Sequence, residues 1–127
     1  EKVRYKRSDL RKFHDKLAAI NVLDPACGSG NFLVITYREL RRLEHRVVAE
    51  LLKGQQVLEV REMLRVNVDQ MHGIDIEEFP ALIAQTALWL TDHQMNLEAS
   101  AMLGQHYVRL PLAASANVVQ ANALTTD

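Results

Sequence analysis

The feature that most constrains this chain is a short glycine-rich turn between an apolar run and a long amphipathic segment. The turn is Asp24-Pro25-Ala26-Cys27-Gly28-Ser29-Gly30-Asn31-Phe32. Residues 19–23 before it predict a buried strand, and residues 31–53 after it predict a helix that Gly54 ends. Glycines allow the main chain to bend sharply and to approach a ligand closely, and the following helix directs its free N–H groups at the same place. This order of elements indicates a ligand site on an α/β fold.

Apolar periodicity and the positions of Pro and Gly predict the other elements. A short helix is predicted over 8–18 (Leu10, Phe13, Leu17) and a second short helix over 57–66. A strand over 68–76 is followed by a helix from Pro80 to about Asn96 (Leu82, Ile83, Thr86, Trp89, Leu90). A further short helix over 97–104, a break at Pro111 and a third strand over 116–120 complete the chain. This alternation predicts an α/β fold with a parallel sheet of about three strands flanked by helices. Because such a sheet has an open edge, we expect further strands downstream and marginal stability or self-association of this chain alone.

Composition excludes several classes of protein. The 127 residues are 48% hydrophobic and 24% charged, with a net charge of −1, unlike a disordered chain. The single Cys excludes a disulfide framework and a cysteine-rich zinc site, and no apolar run approaches the ~20 residues of a membrane span. The lack of a signal peptide predicts a cytoplasmic protein with no membrane partner. The chain opens on Glu1 and stops on Asp127 without an obvious end signal, so we expect a piece of a longer polypeptide.

Basic side chains concentrate in residues 1–18. They are Lys2, Arg4, Lys6, Arg7, Arg11, Lys12 and Lys16, opposed by Glu1, Asp9 and Asp15. Such a segment either follows the phosphates of a nucleic acid or forms a solvated helix face, and both interpretations stay open. A second group, Arg38, Arg41, Arg42 and Arg46, has helical spacing and predicts a solvated face.

Two acidic residues end the first two predicted strands. Asp24 would repel a phosphate and instead attract or bond to an amine. Asp75 is placed to accept two hydrogen bonds from a ribose diol, with Ile76 beside it as an apolar face for a base; taken alone, Asp75 equally fits a helix cap. Asp75 follows Gly30 by 45 residues, whereas the ordinary dinucleotide fingerprint places its acid after about 20. This spacing argues against a dinucleotide site.

Several other polar residues fit either a functional or a structural role. Asn122, after the third strand, suits either an adenine edge or a turn. Cys27 lies near a helix N-terminus, which would lower its thiol pKa, but no His stands at a motif-like position beside it. The five His show no metal-binding spacing, so we expect no metal site. His93 is predicted near a helix end and Trp89 in the core or against the sheet.

Together these residues resemble an adenine-specific DNA methyltransferase. The strings DPACGSGNF, GIDI before a helix, and NALTTD are similar to the cofactor-binding half of such enzymes. EEFPALIAQTALWLTDHQMN and YVRLPLAASANVVQANAL have close counterparts in the MmeI-like subgroup of restriction–modification enzymes, and the resemblance covers about residues 13–127. It implies a partial Rossmann-like class I fold that binds S-adenosylmethionine across the tips of three strands. Residues 19–127 would be the binding half and residues 1–18 a basic N-terminal helical segment.

The resemblance also implies a role for each motif residue. Asp24 would face the methionyl amino group, with Pro25, Ala26 and Cys27 lining that end of the pocket. Gly28 and Gly30, with Asn31 after them, would pass beneath the cofactor, and Phe32 would pack near its edge. Asp75 would take the ribose hydroxyls, Ile76 a face of the adenine, and Asn122 with Ala123 the adenine amino group. The family often has Asp where this chain has Asn122.

The family's catalytic motif, Asn-Pro-Pro followed by Phe or Tyr, is absent from residues 1–127, which contain no Pro-Pro pair. Its Asn and Pro accept hydrogen bonds from the target amine, and its ring stacks on the flipped base. We therefore expect no catalytic residue in this chain and no transfer by it alone. DNA would be a partner of the full-length protein, together with the remaining parts of that polypeptide.

Two other function classes stay open at this point. A methyltransferase-like module used for binding or structure is favoured if the parent protein lacks the Asn-Pro-Pro motif. A dinucleotide-dependent oxidoreductase is disfavoured by Asp24 and by the long spacing to Asp75, and NADH binding would favour it. Within the methyltransferase class, a cytosine amine and a glutamine amide remain alternative acceptors.

Overall fold

The computed structural model describes residues 7–53, 63–103 and 115–125. In chain order the elements are α1 (Arg7–Ala19), β1 (Val22–Asp24), α2 (Asn31–Leu51), a single 3-10 turn (Val68–Gln70), β2 (Met71–Asp75), α3 (Glu78–Leu103) and β3 (Asn117–Gln120). The predicted order of helices and strands is confirmed for these ranges.

The three strands form one parallel sheet in the order β1-β2-β3. Leu23 pairs with His72, and Gly73 pairs with Asp24 on one side and Val118 on the other. Parallel neighbours require crossover connections, which α2 and α3 supply. The predicted α/β fold with a helix-flanked parallel sheet is therefore confirmed.

One face of the sheet carries the core. Met71 and Val118 are buried against α2 and α3, whereas Leu23 and Val119, which point to the other face, are 59% and 48% exposed. The helices contribute Leu33, Tyr37, Leu40, Ala81, Ala84 and Leu88 to the same cluster. Since side chains alternate along a strand, α2 and α3 cover one face and leave the other open within the described residues.

Several element boundaries differ from the sequence prediction. The first strand begins at Val22 because α1 continues to Ala19, and the second begins at Met71 after the 3-10 turn, which an Asn67–Gln70 capping box holds. The predicted helix over 57–66 is wrong at its end, where residues 64–66 belong to no helix; residues 57–62, Gly54 and Pro111 lie outside the described residues. The predicted break near Asn96 is also wrong, because α3 runs unbroken to Leu103.

The face of α3 that packs on the core is also not the predicted one. Ala81, Ala84, Leu88, Met95 and Ala99 are the buried positions. Leu82, Ile83, Trp89 and Leu90 are 39–49% exposed, so of the two positions predicted for Trp89, the core or against the sheet, the core position is wrong. His93 is exposed in the middle of this helix rather than near its end. A helix apolar on every side offers no periodicity from which to choose its buried face.

The predicted solvated arginine face of α2 is interrupted by Arg41, which is fully buried. Its Nη1 donates to Asp92 Oδ1 at 2.9 Å, and its Nη2 donates to Asn96 Oδ1 at 2.7 Å. The Tyr37 hydroxyl donates to the same Asp92 oxygen at 2.6 Å. This cluster joins α2 to α3, and it explains why polar Asn96 remains inside a continuous helix. Arg38 is half-buried, while Arg42 and Arg46 are exposed as predicted.

A second buried group centres on Glu44 of α2. Its Oε2 lies 2.8 Å from Nε2 of His14 in α1 and accepts the N–H groups of Arg65 and Val66 at 2.7 and 2.9 Å. These contacts fix α1 and the segment before β2 to the middle of α2. The buried carboxylate is thus compensated by several donors, as burial of a charge requires.

Candidate functional site

Every sequence-predicted site residue lies at one edge of the sheet, where the three strands end. Asp24 ends β1, Asp75 ends β2, and Asn122 follows Gln120 at the end of β3. Because the strands are parallel, their carboxyl ends meet at the same edge, which is where ligands bind in open α/β sheets.

The turn after β1 is closed by short local hydrogen bonds. Asp24 Oδ1 accepts the Ala26 N–H at 3.1 Å, and the Gly30 N–H donates to the Cys27 carbonyl at 2.9 Å. The Cys27 N–H extends across to the Ile74 carbonyl of β2 at 2.9 Å. Asp24 therefore uses one carboxylate oxygen to shape the turn. In the described residues no hydrogen bond engages its other oxygen.

The two glycines of the turn face different surroundings. Both have positive φ, 54° at Gly28 and 87° at Gly30. A Cβ built on Gly28 would meet nothing within 4 Å, whereas a Cβ on Gly30 would lie 2.9 Å from Cβ of Ala84 in α3. Gly28 thus borders open space at the sheet edge, and Gly30 permits close packing of the turn on α3.

The Asp75 carboxylate connects two loops. Its Oδ2 accepts the Gly28 N–H at 3.1 Å, and its Oδ1 accepts the Glu77 N–H at 2.8 Å. The second bond matches the helix-cap alternative considered from the sequence, and the first had no sequence signal. The main-chain carbonyl of Asp75 also accepts the Ala121 N–H at 2.9 Å, so the end of β2 contacts both neighbouring loops.

The loop after β3 is a tight turn. Asn122 Oδ1 accepts the Leu124 N–H at 3.0 Å, and the Asn122 carbonyl accepts the Thr125 N–H at 3.0 Å. The turn alternative for Asn122 is therefore realised. Asn122 and Ala123 are both exposed at the site edge, and the turn uses the side-chain oxygen of Asn122 rather than its amide N–H groups.

Cys27 does not have the character of a nucleophile. It is 6% exposed and packs on Gly73, where a built Cβ would lie 3.0 Å from its Sγ. Burial, followed by the charges of Asp75 and Asp24, raises the pKa of the Cys27 thiol, opposite to the lowering expected near a helix N-terminus. The thiol is therefore a core group beneath the turn.

Large apolar side chains stand exposed around this edge. Phe32 in the first turn of α2 is 57% exposed and Ile76 is 67% exposed. Phe79 at the start of α3 and Leu124 after β3 are 73% and 93% exposed, and sequence reasoning missed both because an isolated apolar residue carries no periodic signal. Apolar surface beside convergent polar groups is typical of small-molecule sites.

Gln120 is a further residue that the sequence did not single out. Its Nε2 donates to the Ile76 carbonyl at 3.1 Å, so the last residue of β3 supports the main chain that presents Ile76. A strand-end glutamine has no local motif, and only the parallel register of β2 and β3 brings the two together.

Within the described ranges, no cluster of three or more His, Cys, Asp or Glu side chains is placed to hold a metal ion. In the same ranges, none of the helices combines the length and apolar character of a bilayer span.

Comparison with protein families gives one match over the whole chain. The family model described as MmeI, DNA-methyltransferase domain, matches residues 1–127. A solved structure of the type IIL restriction–modification enzyme MmeI in complex with DNA is similar at a TM-score of 0.90 and 54% identity, covering 96% of this chain and 16% of that one.

Curated relatives agree with this match. DNA methyltransferase A of Bacillus subtilis strain 168 is 40% identical over 121 residues, 93% of this chain and 13% of the relative. A putative type II restriction enzyme and methyltransferase of Methanocaldococcus jannaschii, RM.MjaORFECS2P, is 34% identical over 93 residues, 73% of this chain and 8% of the relative. The chain thus spans a small part of the length of each.

Proposed function

This chain belongs to the MmeI DNA-methyltransferase domain family of restriction–modification enzymes, and on that premise we propose that it is the S-adenosylmethionine-binding core of a DNA adenine-N6 methyltransferase. The observation that carries the proposal is the pairing of Gly28, which borders open space, with the Asp75 carboxylate that bonds to its N–H. Residues 19–127 form the proposed binding half, and residues 1–18 a basic segment preceding it.

The residues at the sheet edge fit this cofactor by their chemistry. S-adenosylmethionine supplies an electrophilic methyl group on a sulfonium sulfur, and its amine, ribose diol and adenine each need a different partner. Asp24 has a carboxylate oxygen available for the amine, Asp75 has acceptor capacity for the diol, and exposed Ile76 offers an apolar face to the base. The carboxylate at Asp24 disfavours the pyrophosphate of a dinucleotide.

The remaining predicted residues have supporting roles. Pro25 and Ala26 line the amine end, and buried Cys27 with Gly30 shapes the turn from beneath. Asn31 and Phe32 open α2 beside the turn, and Asn122 with Ala123 borders the adenine. Asn122 retains its amide N–H donors, which suit an acceptor nitrogen of the base better than the adenine amine.

DNA is the proposed substrate of the polypeptide that contains this chain. The similar MmeI structure is a DNA complex. This chain contains no Asn-Pro-Pro motif, so in our proposal the groups that hold the flipped base lie on other segments of that polypeptide. We assign no catalytic residue among residues 1–127.

Methyl transfer by the polypeptide containing this chain tests the proposal. With tritiated S-adenosylmethionine and duplex DNA, we expect label in N6-methyladenine after hydrolysis of the DNA to nucleosides. Label found instead in methylcytosine, or in glutamine of an added protein, would show that the methyl acceptor is not adenine. NADH binding without S-adenosylmethionine binding would reject the methyltransferase assignment altogether.

A matched pair of variants locates the donor site. Asp24→Asn removes the negative charge proposed to face the amine, and Asp69→Asn makes the same change in the 3-10 turn before β2, at the opposite edge of the sheet. Asp24→Asn is expected to raise the KM for S-adenosylmethionine by about tenfold, the loss of one charged hydrogen bond, while Asp69→Asn leaves it unchanged. Equal KM values for wild type, Asp24→Asn and Asp69→Asn would show that the amine of S-adenosylmethionine does not bind at Asp24.

A further inference from the structure

We propose that Asp75 is a positioning residue that holds the glycine turn and the start of α3 in place before any cofactor binds. This role is additional to the ribose contact of Asp75 in the proposed function, on which the inference rests. The structure brings its two carboxylate oxygens to two different loops. Oδ2 accepts from Gly28 and Oδ1 from Glu77, at 3.1 and 2.8 Å.

The Gly28 bond spans 47 residues of sequence and has no local origin. Gly28 has a φ of 54° and packs nothing on the side where a Cβ would stand. Asp75 holds its N–H, while its carbonyl accepts from the Cys27 thiol at 3.6 Å. Main-chain bonds fix the residues on either side of this contact, from Cys27 to Ile74 and from Gly30 to Cys27, whereas the Gly28 N–H depends on a side chain from a different strand.

The number of acceptor sites makes the two roles compatible. An ionised carboxylate offers about four lone-pair sites, two on each oxygen. Two are used by the backbone donors of Gly28 and Glu77, and two are left for a ribose diol. A bound ribose would occupy the two remaining lone-pair sites of the carboxylate and would not displace the contacts with the loops.

Holding both loops requires two acceptor oxygens at position 75, which a ribose contact alone does not require. An Asn at this position has one oxygen and one NH2 group. If its oxygen faces one backbone N–H, its NH2 faces the other, so donor opposes donor and one loop must shift. A residue that only bonded the ribose would tolerate Asn, because an amide can still pair with hydroxyl groups.

Amide hydrogen exchange on the intact, ligand-free protein tests the positioning role. We expect Asp75→Ala to speed exchange of both the Gly28 and Glu77 amides by about tenfold, and Asp75→Asn to speed one of the two. The Cys27 and Ala121 amides, whose acceptors are main-chain carbonyls, should keep their protection and report that the variant is folded. Asp69→Asn is the charge-matched control and should change none of these amides. Equal exchange of Gly28 in wild type and Asp75→Ala would overturn the proposal.

A ligand arm separates this inference from the proposed function. The probes are S-adenosylhomocysteine and its analogue lacking both ribose hydroxyls. Positioning predicts that Asp75→Asn weakens both probes by a similar factor, because the turn is displaced whichever probe binds. If Asp75→Asn weakens binding of S-adenosylhomocysteine alone, the positioning role is overturned and only a direct contact between Asp75 and the ribose remains. If the wild type binds neither probe, the proposed function fails, and the exchange result alone still decides whether Asp75 holds the turn.

Discussion

Arg41 of α2 donates a hydrogen bond from Nη1 to Oδ1 of Asp92 in α3 at 2.9 Å, with both side chains almost wholly buried. The pair lies in the helix layer that α2 and α3 form on the core face of the sheet. Its geometry makes the packing of α2 on α3 depend on a polar contact rather than on apolar area alone.

Removing Arg41 should therefore be severe. Arg41→Met removes the guanidinium that donates to both Asp92 and Asn96, and breaking a buried ion pair costs about 3–5 kcal/mol. Arg42→Met is the control, because the Arg42–Glu98 pair is half exposed and such pairs contribute less than about 1 kcal/mol. Urea denaturation of the two variants measures the difference, and equal losses would contradict the assigned role of Arg41.

Stability should also depend on one buried histidine. Burial, with a smaller contribution from the Arg41 charge that outweighs the opposing effect of Glu44, lowers the pKa of His45 to about 4 from an ordinary 6.5. The unfolded state then takes up a proton first as the pH falls. The contribution of neutral His45 is complete above about pH 6.5 and is lost toward pH 4, a change of about 3 kcal/mol.

His45→Gln is the test of that pH dependence. The difference in unfolding free energy between wild type and variant should shrink as the pH is lowered from 7 to 4, since Gln does not titrate. His93→Gln, at an exposed position of α3, should track the wild type throughout. A difference that stays constant over this range would show that His45 titrates normally.

The two glycines of the turn should respond differently to the same substitution. Gly30→Ala places a Cβ 2.9 Å from Cβ of Ala84 at a φ of 87°, so we expect a loss of about 2–3 kcal/mol from left-handed strain plus overpacking. Gly28→Ala has only the strain, about 1–2 kcal/mol, but places its methyl group in the proposed cofactor space. Thermal unfolding and S-adenosylmethionine titration of both variants check this. A larger stability loss at Gly28 would contradict the packing described for Gly30.

Self-association should proceed through α3. Leu82, Trp89, Leu90 and Leu97 are 44–52% exposed, and no charged side chain from this helix accompanies them between Glu78 and Glu98 except buried Asp92. An apolar surface of this kind favours association. Sedimentation velocity should show concentration-dependent oligomers that Leu90→Glu converts to monomer and Lys12→Glu in α1 does not. A wild-type monomer at all concentrations would reject the prediction.

The sequence predicted the site edge well because its signals are local. The Asp24–Phe32 string specifies a turn by its glycines, and strand ends follow from short apolar runs, so the convergence of Asp24, Asp75 and Asn122 needed only the rule for parallel sheets. Contacts between distant segments left no such trace. The Asp75–Gly28 bond and the packing of Gly30 on Ala84 depend on tertiary geometry.

The helix layer was predicted less well for a physical reason. A helical spacing of arginines is the same whether the face is solvated or contains one buried member such as Arg41, whose partners Asp92 and Asn96 lie more than 50 residues away. Helix α3 is apolar around its whole circumference, so periodicity does not distinguish buried Leu88 from exposed Leu90.

Cofactor titration calorimetry on the polypeptide containing this chain tests the central claim most directly, with Ile76→Asn and Leu97→Asn compared. Ile76 is 67% exposed at the site edge, and Leu97 is 52% exposed roughly 28 Å along α3 from its start, so both changes leave the core intact. We predict that wild type and Leu97→Asn bind S-adenosylmethionine equally, and that Ile76→Asn binds about tenfold more weakly because the adenine loses its apolar face. Wild-type affinity in Ile76→Asn, or no binding by a folded wild type, would contradict the proposed cofactor site.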